Sequence, residues 1–591
     1  MKFGELATYV HTIEGTSSRL AITETLATLF RRASEEEIGK ICFLLQGRVV
    51  PLYEAIEFGI ADKFMIRAIS GAYNVSEVAV GRSFKKSGDL GITAESCHVR
   101  RTYDDLSVAV VYEKLYALAI ASGSGSQDVK ITLLSELLSH VDSLSARYIA
   151  RIPLGKLRLG FSEMTILDAL SWMLSGDKSE RDILESAYNL RPDIGYIAQR
   201  VKSHGVSGLS SVRAHVGAPI LACLCQRLPS ADEMIEKMGE VAVEPKFDGV
   251  RVQIHYQQTG NLPRRQAGRP ETSVATFSRN LENTTDMFPE LTQIGTHLNA
   301  HEVILDSEAV GIDPKTGAII SFQETTTRKR KHQVAETAAN IPLRFFVFDI
   351  LYKDGKDLLG VPLRERRAIL EKTVNTGNTL LLSPLIVTDS AKTLRSYHEE
   401  QRKKGLEGVV VKKWDSAYEP GRRGYNWVKF KEEEGKSGKL TDTVDTVVMG
   451  YYRGEGKRTE FGIGALLVGI KRGNEFVTVT KIGTGVSDEL WVALKKELSR
   501  YATGKQPKEY SEVHKSLAAD VWVVPHLVVE VAADDITKSP THAAGLALRF
   551  PRLVRIRTDK GPESVTSTNE LTAMYKSQQN SRGQRILKHT K

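Results

Sequence analysis

Cysteine is scarce in this chain: four in 591 residues, at positions 42, 97, 223 and 225. So few, so scattered, exclude a disulfide framework. Cys223-Leu224-Cys225 has the wrong spacing for a zinc knuckle, which argues against structural zinc. No run of 18 apolar residues exists, and Met1-Lys2-Phe3-Gly4-Glu5 lacks the apolar core of a signal peptide. A reduced, cytoplasmic protein is therefore expected. Internal repeats are absent, and so is a P-loop. Gly435-Lys436-Ser437 has Phe430 where the first glycine belongs, and Gly454-Glu455-Gly456-Lys457 runs into Arg458 instead of Ser or Thr.

What is present is an ordinary globular composition, 41% hydrophobic and 26% charged, with ample material for cores. At about 100–200 residues per domain, the length predicts three to five domains. The net charge of +9 favours a polyanionic partner and salt-dependent binding, though only modestly. Residues 1–210 read as helical: Leu20 to Arg32 and Val110 to Ala121 carry apolar residues at three- and four-residue spacings. His204 to Pro219, rich in glycine and serine, reads as a linker. From 220 to 433 the pattern is mixed α+β, and Glu432 to Lys439 reads as a hinge. Short strands are expected at Thr443 to Tyr452, Gly464 to Lys471, Phe476 to Ile482 and Val521 to Val531, the spacing of a small β-barrel over 434–575. The remainder, 576–591, reads as a polar, basic, frayed tail.

The most informative stretch is Lys246-Phe247-Asp248-Gly249-Val250-Arg251. It opens a strand-like segment in which Val250, Val252, Ile254 and Tyr256 alternate with polar residues. A lysine at a strand end beside a carboxylate, a glycine and an arginine suits a nucleophile that meets a nucleotide phosphate. Its amine must lose a proton to attack, and lysine yields one readily when buried or close to other cations. Gly249 would let the backbone approach a ligand, and Arg251 offers planar donors to phosphate or sugar oxygens. The plain alternative is a salt-bridge lysine at a strand end, and the hexapeptide alone does not decide between them.

Further blocks follow in order: Ser278-Arg279-Asn280, Asp306-Ser307-Glu308-Ala309-Val310, and Phe345 to Tyr352. Glu407-Gly408-Val409-Val410-Val411-Lys412, Trp427-Val428-Lys429-Phe430-Lys431 and Arg549 to Lys560 complete the series. Together with Lys246-x-Asp-Gly-x-Arg they resemble the covalent nucleotidyltransferases, and among these the ATP-dependent DNA ligases of the archaeal and eukaryotic replicative type, with an archaeal cast. The resemblance implies three parts: an all-α DNA-binding domain, an α+β adenylation domain and an OB-fold β-barrel. It implies sealing of nicks in duplex DNA, with ATP and Mg²⁺ (or Mn²⁺) as cofactors, by a monomer serving replication, repair and recombination.

Residue by residue, the resemblance makes Lys246 the nucleophile. Glu244 would accept from the adenine amino group, Phe348 would stack on the base, and Glu308 would take the ribose hydroxyls. Arg251 and Arg279 would contact sugar and phosphate. Lys412, Lys429 and Lys431 would hold the α-phosphate, the last two alternating on one strand and so facing the same way. Arg423 also falls to the nucleotide, while Arg557 and Lys560 would orient the outgoing pyrophosphate. Glu407, with Glu308 assisting, is the implied metal contact, since Mg²⁺ keeps waters and needs one or two carboxylates. Lys156 and Arg158, set among glycines in Ile152 to Gly160, would touch the DNA backbone. The basic run Arg328-Lys329-Arg330 beside Phe322-Gln323-Glu324 would meet phosphate as well.

An RNA ligase or capping enzyme is disfavoured by the long helical region before Lys246. An NAD-dependent ligase is disfavoured by the missing zinc cysteines, and an idle nick-binding scaffold by the intact Lys246, Glu407, Lys429 and Lys431. A sliding-clamp partner is weakly indicated, because Arg100 to Leu106 offers a single aromatic, Tyr103.

Overall fold

The structure is a computed structural model that describes residues 1–98, 104–259, 262, 273–320, 325, 341–430, 443–454, 458, 461–511 and 513–587. The chain divides into two compact units, one comprising residues 1–401 and 406–430, the other 402–405 and 431–591.

The first unit opens with twelve α-helices among the described residues, α1 (Phe3–Glu14) to α12 (Ile194–His204). They share one core that runs from Phe3 to Val212. Helix starts follow capping chemistry: Ser34 caps α3 (Glu35–Leu44) in a reciprocal box with Glu37, and Ser107 caps α7 (Val108–Ile120). The glycine-rich segment read as a linker is packed instead. Gly205–Ser211 form a 3₁₀ turn, and Leu209, Val212, Ala214 and Ala218 are buried.

Next come two sheets. The first has the order β1 (Leu224–Arg227), β11 (Arg423–Phe430), β10 (Val409–Lys413), β2 (Val241–Pro245), β9 (Ile386–Thr388). The second runs β4 (Val274–Ser278), β3 (Val250–Gln257), β5 (Glu302–Gly311), β6 (Leu343–Lys353), β7 (Lys356–Asp357), with β8 (Leu380–Leu382) beside β6. Strand alternation gives each sheet one apolar face. Val241, Val243, Val409, Val411, Val428 and Phe430 form a core with Met234 and Met238 of the helix Ala231–Met238 and Leu394 of the helix Ala391–Lys403. Val252, Ile254, Leu305, Phe345 and Val347 do the same for the second sheet. The polar residues left over on the opposite faces make the site.

The second unit is built on β12 (Val444–Tyr452), β13 (Ala465–Arg472), β14 (Glu475–Ile482), β15 (Ala502–Thr503), β16 (Val521–Val523), β17 (Val528–Ala532) and β20 (Arg552–Ile556). β12 pairs with β13, β16 and β17, and β17 pairs with β20. β18 (Asp535–Lys538) and β19 (Leu546–Arg549) form a separate hairpin. The single strand expected from Val521 to Val531 is two strands, because Pro525 supplies no N–H to a ladder. Of the tail read as frayed, residues 588–591 lie outside the described residues and the part before them is helical. Thr568–Leu587 is a helix, started by reciprocal bonds between Ser567 and Glu570 and anchored by buried Leu571.

Candidate active site

Lys246 lies in the turn after β2, and backbone bonds tie it to the entry of β10. Its amide donates to the Gly408 carbonyl at 2.9 Å, and the Glu407 amide donates to the Lys246 carbonyl at 3.3 Å. These bonds set the two side chains beside each other, with Lys246 Nζ 2.5 Å from Glu407 Oε2 and both partly exposed. Gly408, at φ +136°, is obligatory here: a Cβ would sit 2.3 Å from the Phe430 carbonyl oxygen. Gly249 answers a packing demand. Its missing Cβ would lie 2.4 Å from the Ala309 carbonyl, so the glycine lets β3 start tight against β5.

Register places the other candidates. Glu244 and Lys429 both pair with Val410, and Lys412 pairs with Trp427, so all four project from one face of the first sheet. Lys412 is 1% exposed. Its Nζ donates to Glu244 Oε1 at 2.9 Å and to the Phe348 carbonyl at 3.3 Å, and stands 4.5 Å and 4.2 Å from the Phe348 and Trp427 ring centres. The sequence reading gave Lys412 to the α-phosphate; the structure pairs it with Glu244. Burial pushes the Glu244 carboxyl up from its ordinary value, against the pull of Lys412. The Ser383 hydroxyl donates to its other oxygen at 3.3 Å.

On the second sheet Arg251 pairs with Glu308. Arg251 is committed to protein: Nε and Nη2 donate to Asp306 at 3.0 and 2.6 Å, and Nη1 to the Cys223 carbonyl at 2.8 Å. The Tyr418 hydroxyl donates to Asp306 at 2.9 Å and accepts from Arg251 and from the Cys223 amide. The arginine aimed at sugar and phosphate by sequence is thus a strut between the two sheets, with Trp427 and Phe348 5.5 and 5.4 Å from its guanidinium carbon. Glu308 feels Lys246 and Arg251, yet burial pushes its carboxyl up to about 7. Phe348 stands edge-on to Trp427 at 5.9 Å, and Phe247 stacks on Phe346 at 4.2 Å.

Beneath this layer Arg366 and Asp349, both fully buried, form a two-bond ion pair at 2.8 and 2.9 Å. Arg366 and Tyr418 escaped the sequence reading, since neither sits in a matching block. Asp306 had a signal: Asp306-Ser307-Glu308 alternates two carboxylates onto one face.

Arg279 is exposed after β4, and the side chain of Arg423, at the start of β11, falls outside the description. Lys431, Arg328, Lys329, Arg330 and residues 100–103 of the clamp candidate lie outside the described residues. In the second unit Arg557 donates to Asp445 and Asp559, at 2.9 and 2.7 Å, and Lys560 to Asp445 at 2.6 Å. In the helical region Lys156 pairs with Asp62 at 3.0 Å. Arg158, at φ +60°, reaches Asp89 and the Gly88 carbonyl at 3.3 and 3.1 Å.

For a magnesium ion the fit is two carboxylates, Glu407 and Glu308, around one lysine; among the described residues no cluster of three His, Cys, Asp or Glu exists. That suits an ion that keeps waters and shares substrate phosphates. No described helix is long and apolar enough to cross a membrane.

Residues 221–431 match the ATP-dependent DNA ligase domain, residues 2–171 the DNA ligase N terminus, and residues 459–560 the ATP-dependent DNA ligase C-terminal region. A probable DNA ligase of Dictyoglomus thermophilum is 41% identical over 589 residues, 98% of each chain. DNA ligase 2 of Thermofilum pendens is 39% identical over 606 aligned residues, again 98% of each. A solved structure titled Pmar-Lig_PreS3 overlays 93% of this chain and 99% of its own, with a TM-score of 0.54 at 17% identity, a likeness of fold. The matches define a ligase of the nucleotidyltransferase type. Within that class the chain belongs to the ATP-dependent DNA ligase family, the enzymes that seal nicks through an adenylated intermediate.

Proposed function

We propose that Lys246 carries the adenylate, and that the polar faces of the two sheets hold ATP with its base against Phe348. The observation that carries this reading is the contact of Lys246 Nζ with Glu407, in a turn tied to β10. Lys246 attacks the ATP α-phosphorus in line and pyrophosphate leaves. The AMP then passes to a DNA 5′-phosphate, and the 3′-hydroxyl displaces it to close the backbone. In such transfers the protein chiefly positions groups and neutralises charge. Glu407, within reach of Nζ, is placed to accept the lysine proton.

Glu244, locked by Lys412 and Ser383, retains lone pairs for the adenine amino group. Lys429, on the same face, is offered to the α-phosphate, and Glu308 to the ribose. Mg²⁺ would be held by Glu407 and Glu308, where it would neutralise phosphate charge. Arg557 and Lys560 serve pyrophosphate departure. Their unit is read as an OB-fold, supported by the strand β12 shared among three partners. The helical region grips the duplex through Lys156 and Arg158, and the enzyme acts as a monomer.

A nick whose 5′ end already carries AMP isolates the last step. Lys246→Ala is expected to seal that substrate and to leave an ordinary nick open. Sealing of both would overturn the assignment of Lys246.

A further inference from the structure

One carboxylate outside the active site has more partners than its place in a helical core requires. Asp89, 4% exposed, caps the helix Leu90–Cys97 by accepting from the Gly91 and Ile92 amides at 2.7 and 3.1 Å. It also accepts from Arg151 Nε and Nη2 at 3.2 and 2.8 Å, and pairs with Arg158 Nη1 at 3.3 Å. Arg151 is itself buried, pairs with Glu14 at 2.9 Å, and receives the Lys156 amide on its carbonyl at 3.1 Å. Leu157 and Leu159 are buried, so the loop 155–160 is pinned on both sides of Arg158.

Arg158 adopts φ +60°, a left-handed conformation that is strained for a non-glycine residue and persists where surroundings over-determine it. One of its five N–H donors goes to the Gly88 carbonyl, and Nη1 stands in ion-pair range of Asp89. The side chain is 53% exposed, so the others remain available to a second partner. Gly88 ends the helix Glu77–Ser87. On that helix Arg82, Lys85 and Lys86 stand three and four residues apart, hence on one face, exposed and without an ion pair among the described residues.

We propose that this face and the loop 155–160 form one surface for the phosphate backbone of duplex DNA. Asp89 is its positioning residue: it holds Arg158 in a conformation the chain would not adopt alone. The proposal rests on the reading of Arg158 as a DNA contact and extends it by one turn of helix and one carboxylate. Charge counting and positioning predict opposite signs for Asp89→Asn. Removing a negative charge should tighten binding to a polyanion; losing the tether on Arg158 should weaken it.

The test measures binding of a non-ligatable nicked duplex to the full chain, without ATP, at several salt concentrations. The variants are Arg82→Ala/Lys85→Ala/Lys86→Ala, Arg158→Ala, Arg158→Lys and Asp89→Asn. Each lost phosphate contact should reduce the salt slope by about 0.9, so the triple variant should lose about two to three. Asp89→Asn and Arg158→Lys should each bind several-fold more weakly than wild type. Arg158→Lys keeps the charge and leaves the buried Arg151 pair intact, so it covers the case in which Asp89→Asn fails to fold. A wild-type slope in the triple variant, with loss in Arg158→Ala, would overturn the proposal alone. Loss in the triple variant with none in Arg158→Ala would overturn the loop reading and the single surface with it. Tighter binding by Asp89→Asn would overturn the positioning role.

Discussion

Two clusters of cations in this ligase are built to the same recipe and differ in kind. Around Lys246 three cations each have a carboxylate: Lys246 with Glu407, Lys412 with Glu244, Arg251 with Asp306. In the C-terminal unit Arg555 pairs with Glu530, Arg557 with Asp445 and Asp559, and Lys560 with Asp445. The pairs behind the first cluster are buried, with Lys412 and Glu244 at 1% and 4% side-chain exposure. In the second, Arg555 and Asp559 are about three-fifths exposed and Lys560 about one-third, while Arg557 and Asp445 are 13% and 12% exposed. Buried pairs cannot trade partners without stranding a charge, whereas exposed pairs hold loosely because water competes. Under the proposed function the buried pairs of the first cluster hold the surroundings of Lys246 fixed, and Arg557 and Lys560 of the second, which share Asp445, are the cations offered to a phosphate.

The largest effect should come from breaking a fixed pair. Lys412→Ala strands the Glu244 carboxylate, a change that costs about 3–5 kcal/mol when the survivor stays buried. Urea unfolding measures it. Unchanged stability would remove the Lys412–Glu244 pair from the fixed scaffolding.

The opposite pattern is expected of Arg557→Ala. Adenylation of Lys246 by ATP should slow by about tenfold or more, the worth of a charge-assisted hydrogen bond, with a thermal midpoint near wild type. Sealing of a pre-adenylated nick should keep its rate. An equal loss in both steps would make Arg557 a structural residue and erase the contrast between the clusters.

The smallest effect concerns Glu308, raised to about 7 by burial. Its carboxylate is the form that can take ribose or metal, so adenylation should rise by up to about tenfold between pH 6 and 8. Glu308→Gln should flatten that step. For stability the sign reverses: a carboxyl with a raised folded value favours the fold below about 4.5 and loses that contribution as pH climbs through about 7. A pH profile unchanged by Glu308→Gln would remove Glu308 from the chemistry.

The sequence carried the chemistry further than the packing. Lys246, Glu407 and Glu244 were marked as candidates because short blocks keep their residue types and order, and the apolar alternation from Val250 to Tyr256 told which side chains of β3 share a face. What it could not convey is partnership across the chain. The partners of Arg251 and Lys412 were not legible, because an arginine or lysine in a motif says nothing of the carboxylate it meets. Asp306 lies 55 residues from Arg251, and Glu244 lies 168 from Lys412. Tyr418 and Arg366 carry no local signal, being read only from the space they fill. Pro525 was legible in principle, and its effect on Val521 to Val531 follows from its missing N–H.

The most direct test of the account is covalent labelling. The protein is first treated with pyrophosphate to clear bound adenylate, then incubated with Mg²⁺ and ATP labelled at the α-phosphate, and separated denatured beside Lys246→Ala. Acid-labile label on the wild type alone is the predicted result. Label retained by Lys246→Ala, or absent from both, would contradict it.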